Sequence, residues 1–338
     1  MTSVRLRAYN TCMLALFGAF TASAGLIAVA GFYLTRFADR IAEETHLGRV
    51  FAGTILLAGA TSLPELTVDY NAVVRGQADL ATGDLLGSSL INLLILAVMD
   101  SVFRPSCRAF TTGARGFAPL GVLSIVLTGL VGVGVLTRMA ATWFGVSPLI
   151  WAVFGVYVLG LHRTVPLVPA AKPEAPDRRV PLQRKRLLNA GIGYLVATVL
   201  LVTAAPYLVT AAHGIALESG LGHGLIGTTL VAFATSLPEL VATATAYRMR
   251  APTLAIGNIF GSNAFNMALF LPLDAAFKGP LLGSVRYVHA VTALTVVSAT
   301  ALAVAGQLGC GKPSPIRAET IAATLFAALI ALYFLRAL

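Results

Sequence analysis

Two glutamates in this chain stand where a charge is expensive. Glu65 and Glu239 each follow a proline, Pro64 and Pro238, inside long apolar stretches. A carboxylate at membrane depth costs roughly 2.5–3.5 kcal/mol on insertion scales, which marks it as functional before anything else is known. Both lie in the same hexapeptide: Thr61-Ser62-Leu63-Pro64-Glu65-Leu66 returns as Thr235-Ser236-Leu237-Pro238-Glu239-Leu240. A proline within a helix removes one backbone hydrogen bond and clashes with the carbonyl four residues earlier. The carbonyls of Ala60 and Ala234 are therefore expected to be freed at a kink, facing protein or a water-filled cavity. With the hydroxyls of Thr61, Ser62, Thr235 and Ser236 they make an all-oxygen donor set beside each carboxylate. Hard cations want such a set: calcium takes about six to eight oxygens. No His or Cys lies nearby to favour zinc or copper.

A second motif follows each glutamate. Gly83-Asp84-Leu85-Leu86-Gly87-Ser88-Ser89-Leu90-Ile91-Asn92 matches Gly257-Asn258-Ile259-Phe260-Gly261-Ser262-Asn263-Ala264-Phe265-Asn266. At a constant offset of 174 residues, 57–92 aligns with 231–266 without a gap, 15 of 36 positions being identical. Glycines four apart let two helices approach closely. Ser88 and Asn92 share one helix face, as do Ser262 and Asn266, and these faces are expected to line the site opposite the glutamates. Two more acids are candidates of lesser weight. Asp69 lies one turn beyond Glu65 and reads either as an extra ligand or as an interfacial residue paired with Arg75. Asp84, with Asn258 as its counterpart, reads first as a helix N-cap and second as a third carboxylate of the site.

These motifs need a membrane around them, and composition supplies it. The chain has 338 residues, 57% hydrophobic and 11% charged, with mean hydropathy +0.83. Soluble domains carry about 25% charged residues. Ten stretches are apolar enough to span, near 11–34, 47–72, 80–100, 116–137, 140–162, 187–211, 219–247, 253–274, 286–306 and 317–336. The net charge of +10 is a matter of topology and not of nucleic acid. With ten spans, seven of the 24 Lys and Arg fall on the side of the N-terminus and 17 on the other. The positive-inside rule then puts both termini outside. Arg5 and Arg7 ahead of an apolar run also resemble a secretory signal, but the run exceeds a signal's usual core, and it reads as the first helix.

The expected plan is an all-α membrane protein of about ten transmembrane helices in two five-helix repeats. Residues 1–162 form the first repeat, 163–186 a basic cytoplasmic linker, and 187–338 the second. Proline and charge (Pro173, Pro176, Arg178, Arg179) make that connection extended and solvated. Five helices per half is an odd number, so the second half enters from the opposite face and the repeats are inverted. Transporters so built place their sites near the midplane, where broken helices meet.

The paired Thr-Ser-Leu-Pro-Glu and Gly-xxx-Gly-Ser-xxx-Asn motifs resemble the alpha-repeats of the calcium/cation antiporter superfamily, which includes the sodium/calcium exchangers. The resemblance implies that Glu65 and Glu239 ligate calcium, with oxygens from Thr61, Ser62, Thr235 and Ser236. It also implies roles for Ser88, Asn92, Ser262 and Asn266, and alternating access with helices 1 and 6 sliding over a more rigid core. Sodium/calcium exchangers of this kind commonly carry an aspartate at one of the positions held here by Asn92 and Asn266. With two amides, coupling to sodium or to protons stays open; the overall motif text favours sodium.

Other classes fit less well. A channel would place paired acids in an oligomeric ring, and an intramembrane enzyme would sooner use aspartates. No phosphate-binding Gly-Lys-Ser/Thr loop supports ATP-driven transport. Cys12, Cys107 and Cys310 imply neither a disulfide framework nor a metal site. His213 and His223 read as solvated, Asp274 and Lys278 as interfacial, and Trp143 and Trp151 as lipid-facing or packing residues. The expectation is an integral protein of a bacterial-type inner membrane that works as a monomer without a cofactor, its substrates calcium and a monovalent cation.

Overall fold

These helices expose many apolar side chains and bury a set of polar ones within an apolar core. The computed structural model describes residues 2–45, 47–103, 114–165, 183–218 and 233–308, almost all helical. In chain order these are α1 (Thr2–Thr45), α2 (Gly48–Val74), α3 (Ala78–Val102), α4 (Ala118–Thr137) and α5 (Pro148–Thr164). There follow α6 (Arg184–Glu218), α7 (Leu237–Arg248), α8 (Pro252–Ala276) and α9 (Val288–Leu308). All but α5 and α7 are long and apolar enough to cross a membrane, seven in all. Leu14, Val29, Val126, Leu195, Val199 and Leu294 are exposed, whereas Glu65, Asn92, Glu239 and Asn266 are fully buried. That inversion suits lipid as solvent, because a polar group must find its partners inside the protein.

Of the ten expected spans, the last, 317–336, and the start of the seventh, 219–232, lie outside the described residues, as does most of the linker (166–182). The others shift at their ends. α1 runs on to Thr45 because Arg36 and Arg40 do not stop it: their guanidinium groups lie over the rings of Phe32 and Phe37, at 5.4 and 6.0 Å. The stretch expected from 140 starts only at Pro148. Arg138 turns left-handed (φ +47°), and Trp143 and Val146 form a small antiparallel bridge. Asp274, expected at an interface, is buried instead. It accepts the backbone N–H of Ser147 at 2.6 Å and of Leu281 at 2.7 Å, tying α5 to the turn after α8.

Small residues set the helix spacing. α1 packs most extensively against α6, where a Cβ at Gly193 would collide with the Phe37 ring and one at Gly214 would lie 2.8 Å from Leu16. At the other end of α1, Arg49 of α2 bonds Asp39 at 2.6 Å and Glu43 at 3.3 Å. α2 and α3 are joined by a tight reversal through Gly76 (φ +79°), and α7 and α8 by the same reversal through Arg250 (φ +55°). Gly76 and Arg250 are repeat counterparts. A left-handed conformation is free for glycine and costs an ordinary residue about 1 kcal/mol.

Candidate cation site

The prolines do more than kink their helices: they start new ones. α2 ends a first segment at Thr61, passes through Ser62 in a non-helical conformation (φ −92°, ψ 0°), and restarts at Leu63–Val74. α7 begins the same way after Ser236 (φ −85°, ψ 5°). Pro64 and Pro238 sit in the first turn, where a missing N–H is not needed. This places Glu65 and Glu239 in the opening turn of a half-helix. Broken helices of this kind present both backbone ends to an ion.

Upstream of the break lies a feature that no motif announces. Ala52–Leu57 form a π-helical turn. It packs backbone to backbone against α8. A Cβ on Gly53 would lie 2.6 Å from the Leu254 carbonyl, and one on Gly261 would lie 2.6 Å from the Thr54 carbonyl. The Gly257–Gly261 pair thus serves close approach, as its spacing predicts. Tyr194 of α6 donates to the Leu56 carbonyl at 2.7 Å, tying the π turn to α6.

The ten central candidates converge in burial: Thr61, Ser62, Glu65, Ser88, Asn92, Thr235, Ser236, Glu239, Ser262 and Asn266 are each at most 1% exposed. The two copies interlock. Ser62 donates to Glu239 Oε1 at 3.4 Å, and Thr61 lies 3.4 Å from both Asn258 Oδ1 and Ser262 Oγ. Thr235 donates to Asp84 Oδ1 at 3.3 Å. Among the described residues, several buried atoms have no hydrogen-bond partner: both oxygens of Glu65, Glu239 Oε2, Ser88 Oγ, Ser236 Oγ, Asn92 Oδ1, and both polar atoms of Asn266. Native proteins leave few such groups. A concentration of oxygen donors at the meeting of two broken helices is the chemistry of a hard cation site. Among the described residues, no group of three or more His, Cys, Asp or Glu gathers as a metal cluster, so hydroxyl, amide and backbone oxygens would have to complete any coordination.

Two lesser candidates move from where local rules put them. Asp84 does not cap a helix, because α3 starts six residues earlier, at Ala78. Asp69 is not interfacial. It is fully buried, neither oxygen has a hydrogen-bond partner, and Arg75 stays exposed without pairing to it. Glu65 has Glu239, Asp84 and Asp69 within electrostatic reach.

One residue of the site was missed. Asn263 accepts from Asn92 Nδ2 at 3.0 Å and donates to the Ser89 carbonyl at 3.1 Å, fixing the Asn92 amide. Its repeat counterpart is Ser89, so the duplication gave no signal for it.

Comparison with known proteins agrees with this architecture. The profile of the family described as "Sodium/calcium exchanger protein" matches residues 15–161 and 190–337. CaxA of Alkalimonas amylolytica, provisionally named an antiporter, is 30% identical over 69% of this chain and 72% of its own length. Inner membrane protein YrbG of Escherichia coli (strain K12) is 26% identical over 73% of this chain and 75% of its own. Sodium/calcium exchanger MaX1 of Methanosarcina acetivorans is 44% identical over a shorter stretch, 23% of this chain and 22% of its own. Among solved structures, the sodium-calcium exchanger NCX_Mj soaked with 10 mM Na+ superposes with TM-score 0.71 at 20% identity, over 95% of this chain and 98% of that one. At that identity the likeness is one of fold.

Proposed function

The chain belongs to the sodium/calcium exchanger protein family, within the calcium/cation antiporters, and from that premise we propose that it exchanges calcium for sodium across a membrane. The site is the one built on Glu65 and Glu239, near the midplane, where two inverted five-helix halves meet. One observation carries the reading: both glutamates are fully buried, and three of their four carboxylate oxygens have no hydrogen-bond partner. Ionised, the pair holds a charge of −2, which one calcium or two sodium ions neutralise. Each ion thus leaves the site neutral enough to cross a low-dielectric interior, and only one kind fits at a time. That exclusion is the physical basis of exchange. Access then alternates between the two sides, with α1 and α6 moving over the core that holds α2, α3, α7 and α8. The 163–186 linker lies in the cytoplasm of a bacterial-type cell and both termini lie outside. The protein works as a monomer, without a cofactor or a catalytic step.

A proton/calcium exchanger is the second reading, favoured by one observation: Asn92 and Asn266 are both amides where an extra acid would help bind sodium. Radiolabelled calcium uptake into proteoliposomes decides between them. The sodium reading expects uptake under an outward sodium gradient; uptake under an outward proton gradient alone selects the second. Uptake under neither would overturn calcium exchange itself.

A further inference from the structure

The two halves are not alike at one pair of positions. In the second half, Asn258 Nδ2 donates to Thr243 Oγ1 at 3.3 Å, joining α8 to α7. The repeat counterparts of Thr243 and Asn258 are Asp69 and Asp84, and α2 and α3 are packed neighbours as α7 and α8 are. Two acids therefore occupy the place of a neutral hydroxyl and amide that satisfy each other.

Neither acid can do for the other what the neutral pair does. Two carboxylates offer only acceptors when ionised, and like charges in a buried setting repel. Among the described residues, Asp69 is fully buried with neither oxygen hydrogen-bonded, and Asp84 is an acid within its electrostatic reach. Taking an unpaired carboxylate out of water costs several kcal/mol. A cation between them offsets the repulsion and gives the unbonded oxygens a partner. The pairing suits it, because the repeat counterparts of the two acids bond each other directly in the second half.

We infer that Asp69 and Asp84 hold a monovalent cation of sodium size between them, in a subsite present in one half of the molecule only. The two side chains bring four oxygens, one already bonded to Thr235, short of the six to eight or so that calcium takes. Asp69 stands one helical turn, about 6 Å, beyond Glu65, so the subsite adjoins the central site without being part of it. It supplies the acidic charge that Asn92 and Asn266 do not. The inference deepens the exchange reading and rests on it for the identity of the ion.

Equilibrium binding of radiolabelled sodium to the purified full-length protein tests it. The double variant Asp69→Thr/Asp84→Asn writes the second half's neutral pair into the first, and is expected to bind one sodium fewer per chain. Asp69→Asn alone, nearly equal in volume, is expected to lose the same equivalent and decides the matter should the double variant not fold. An unchanged sodium stoichiometry in the folded variants overturns the inference. So does a loss of proton uptake without loss of sodium, which would mean that the two acids share a proton. Wild-type protein that binds the extra sodium but no calcium would overturn the exchange reading and leave this subsite standing.

Discussion

Ser62 donates a hydrogen bond to Glu239 across 177 positions of chain, at 3.4 Å. The serine of one motif copy is thereby bonded to the glutamate of the other. The bond ties the two broken helices to each other. The reciprocal bond, from Ser236 to Glu65, is not made: Ser236 Oγ and both Glu65 oxygens have no hydrogen-bond partner.

That asymmetry separates two substitutions of the same type. Ser62→Ala removes a bond to a carboxylate and should lower stability by about 1 kcal/mol, along with calcium affinity. Ser236→Ala removes a buried hydroxyl without a hydrogen-bond partner among the described residues and should leave stability unchanged or higher, while still weakening calcium. Thermal unfolding with and without calcium checks both. Equal losses of stability would contradict the asymmetry.

Glu65→Gln and Glu239→Gln should each abolish calcium exchange, a loss of at least a hundredfold in initial uptake rate. Melting temperature in calcium-free buffer should hold or rise, because a buried charge is expensive when uncompensated. Proteoliposome flux and unfolding on the same preparations give the answer; near-normal flux in either variant would remove that glutamate from the site.

Asn266→Asp places a carboxylate among atoms that have no hydrogen-bond partner, since both polar atoms of Asn266 lack one. Sodium dependence of calcium uptake should steepen. The measurement is uptake rate against sodium gradient in wild type and variant, and an unchanged dependence would count against the role given to the missing acid.

Gly261→Ala should lower the melting temperature. A Cβ at Gly261 meets backbone atoms of Thr54, the carbonyl at 2.6 Å. Overpacking of this kind costs typically 1–3 kcal/mol. A melting temperature equal to that of the wild type would contradict this close approach of α2 and α8.

The sequence made the glutamates and their hydroxyl and amide neighbours legible because duplication filtered them: Pro64 and Glu65 recur at Pro238 and Glu239, whereas lipid-facing residues drift. What it hid depends on contacts between distant segments. Nothing in Ala52–Leu57 marks a π turn, which rests on the α8 backbone and the Tyr194 hydroxyl. Asn263 was invisible because Ser89 stands at its repeat position. Asp69 looked interfacial because Arg75 follows six residues later, but packing of α2 on its neighbours, not distance along the chain, decided its burial. The helix break at Ser62 was foreseen as a kink, since a proline one turn into a helix and a proline that opens one read alike in sequence.

The π turn before Ser62 has a geometrical consequence. A π turn carries one residue more than an α turn, and each residue of a helix advances the side chains by about 100° around its axis. Residues 52–57 therefore act as a phase shifter: they reset the azimuth of Thr61 and the restart of α2 relative to Gly48–Phe51. The Arg49–Asp39 pairing of the entry turn and the buried carboxylate of Glu65 belong to two angular registers, spliced within a single helix. Deleting one residue there would leave every ligand in the chain and swing the Thr61–Glu65 face about a quarter turn away from Glu239.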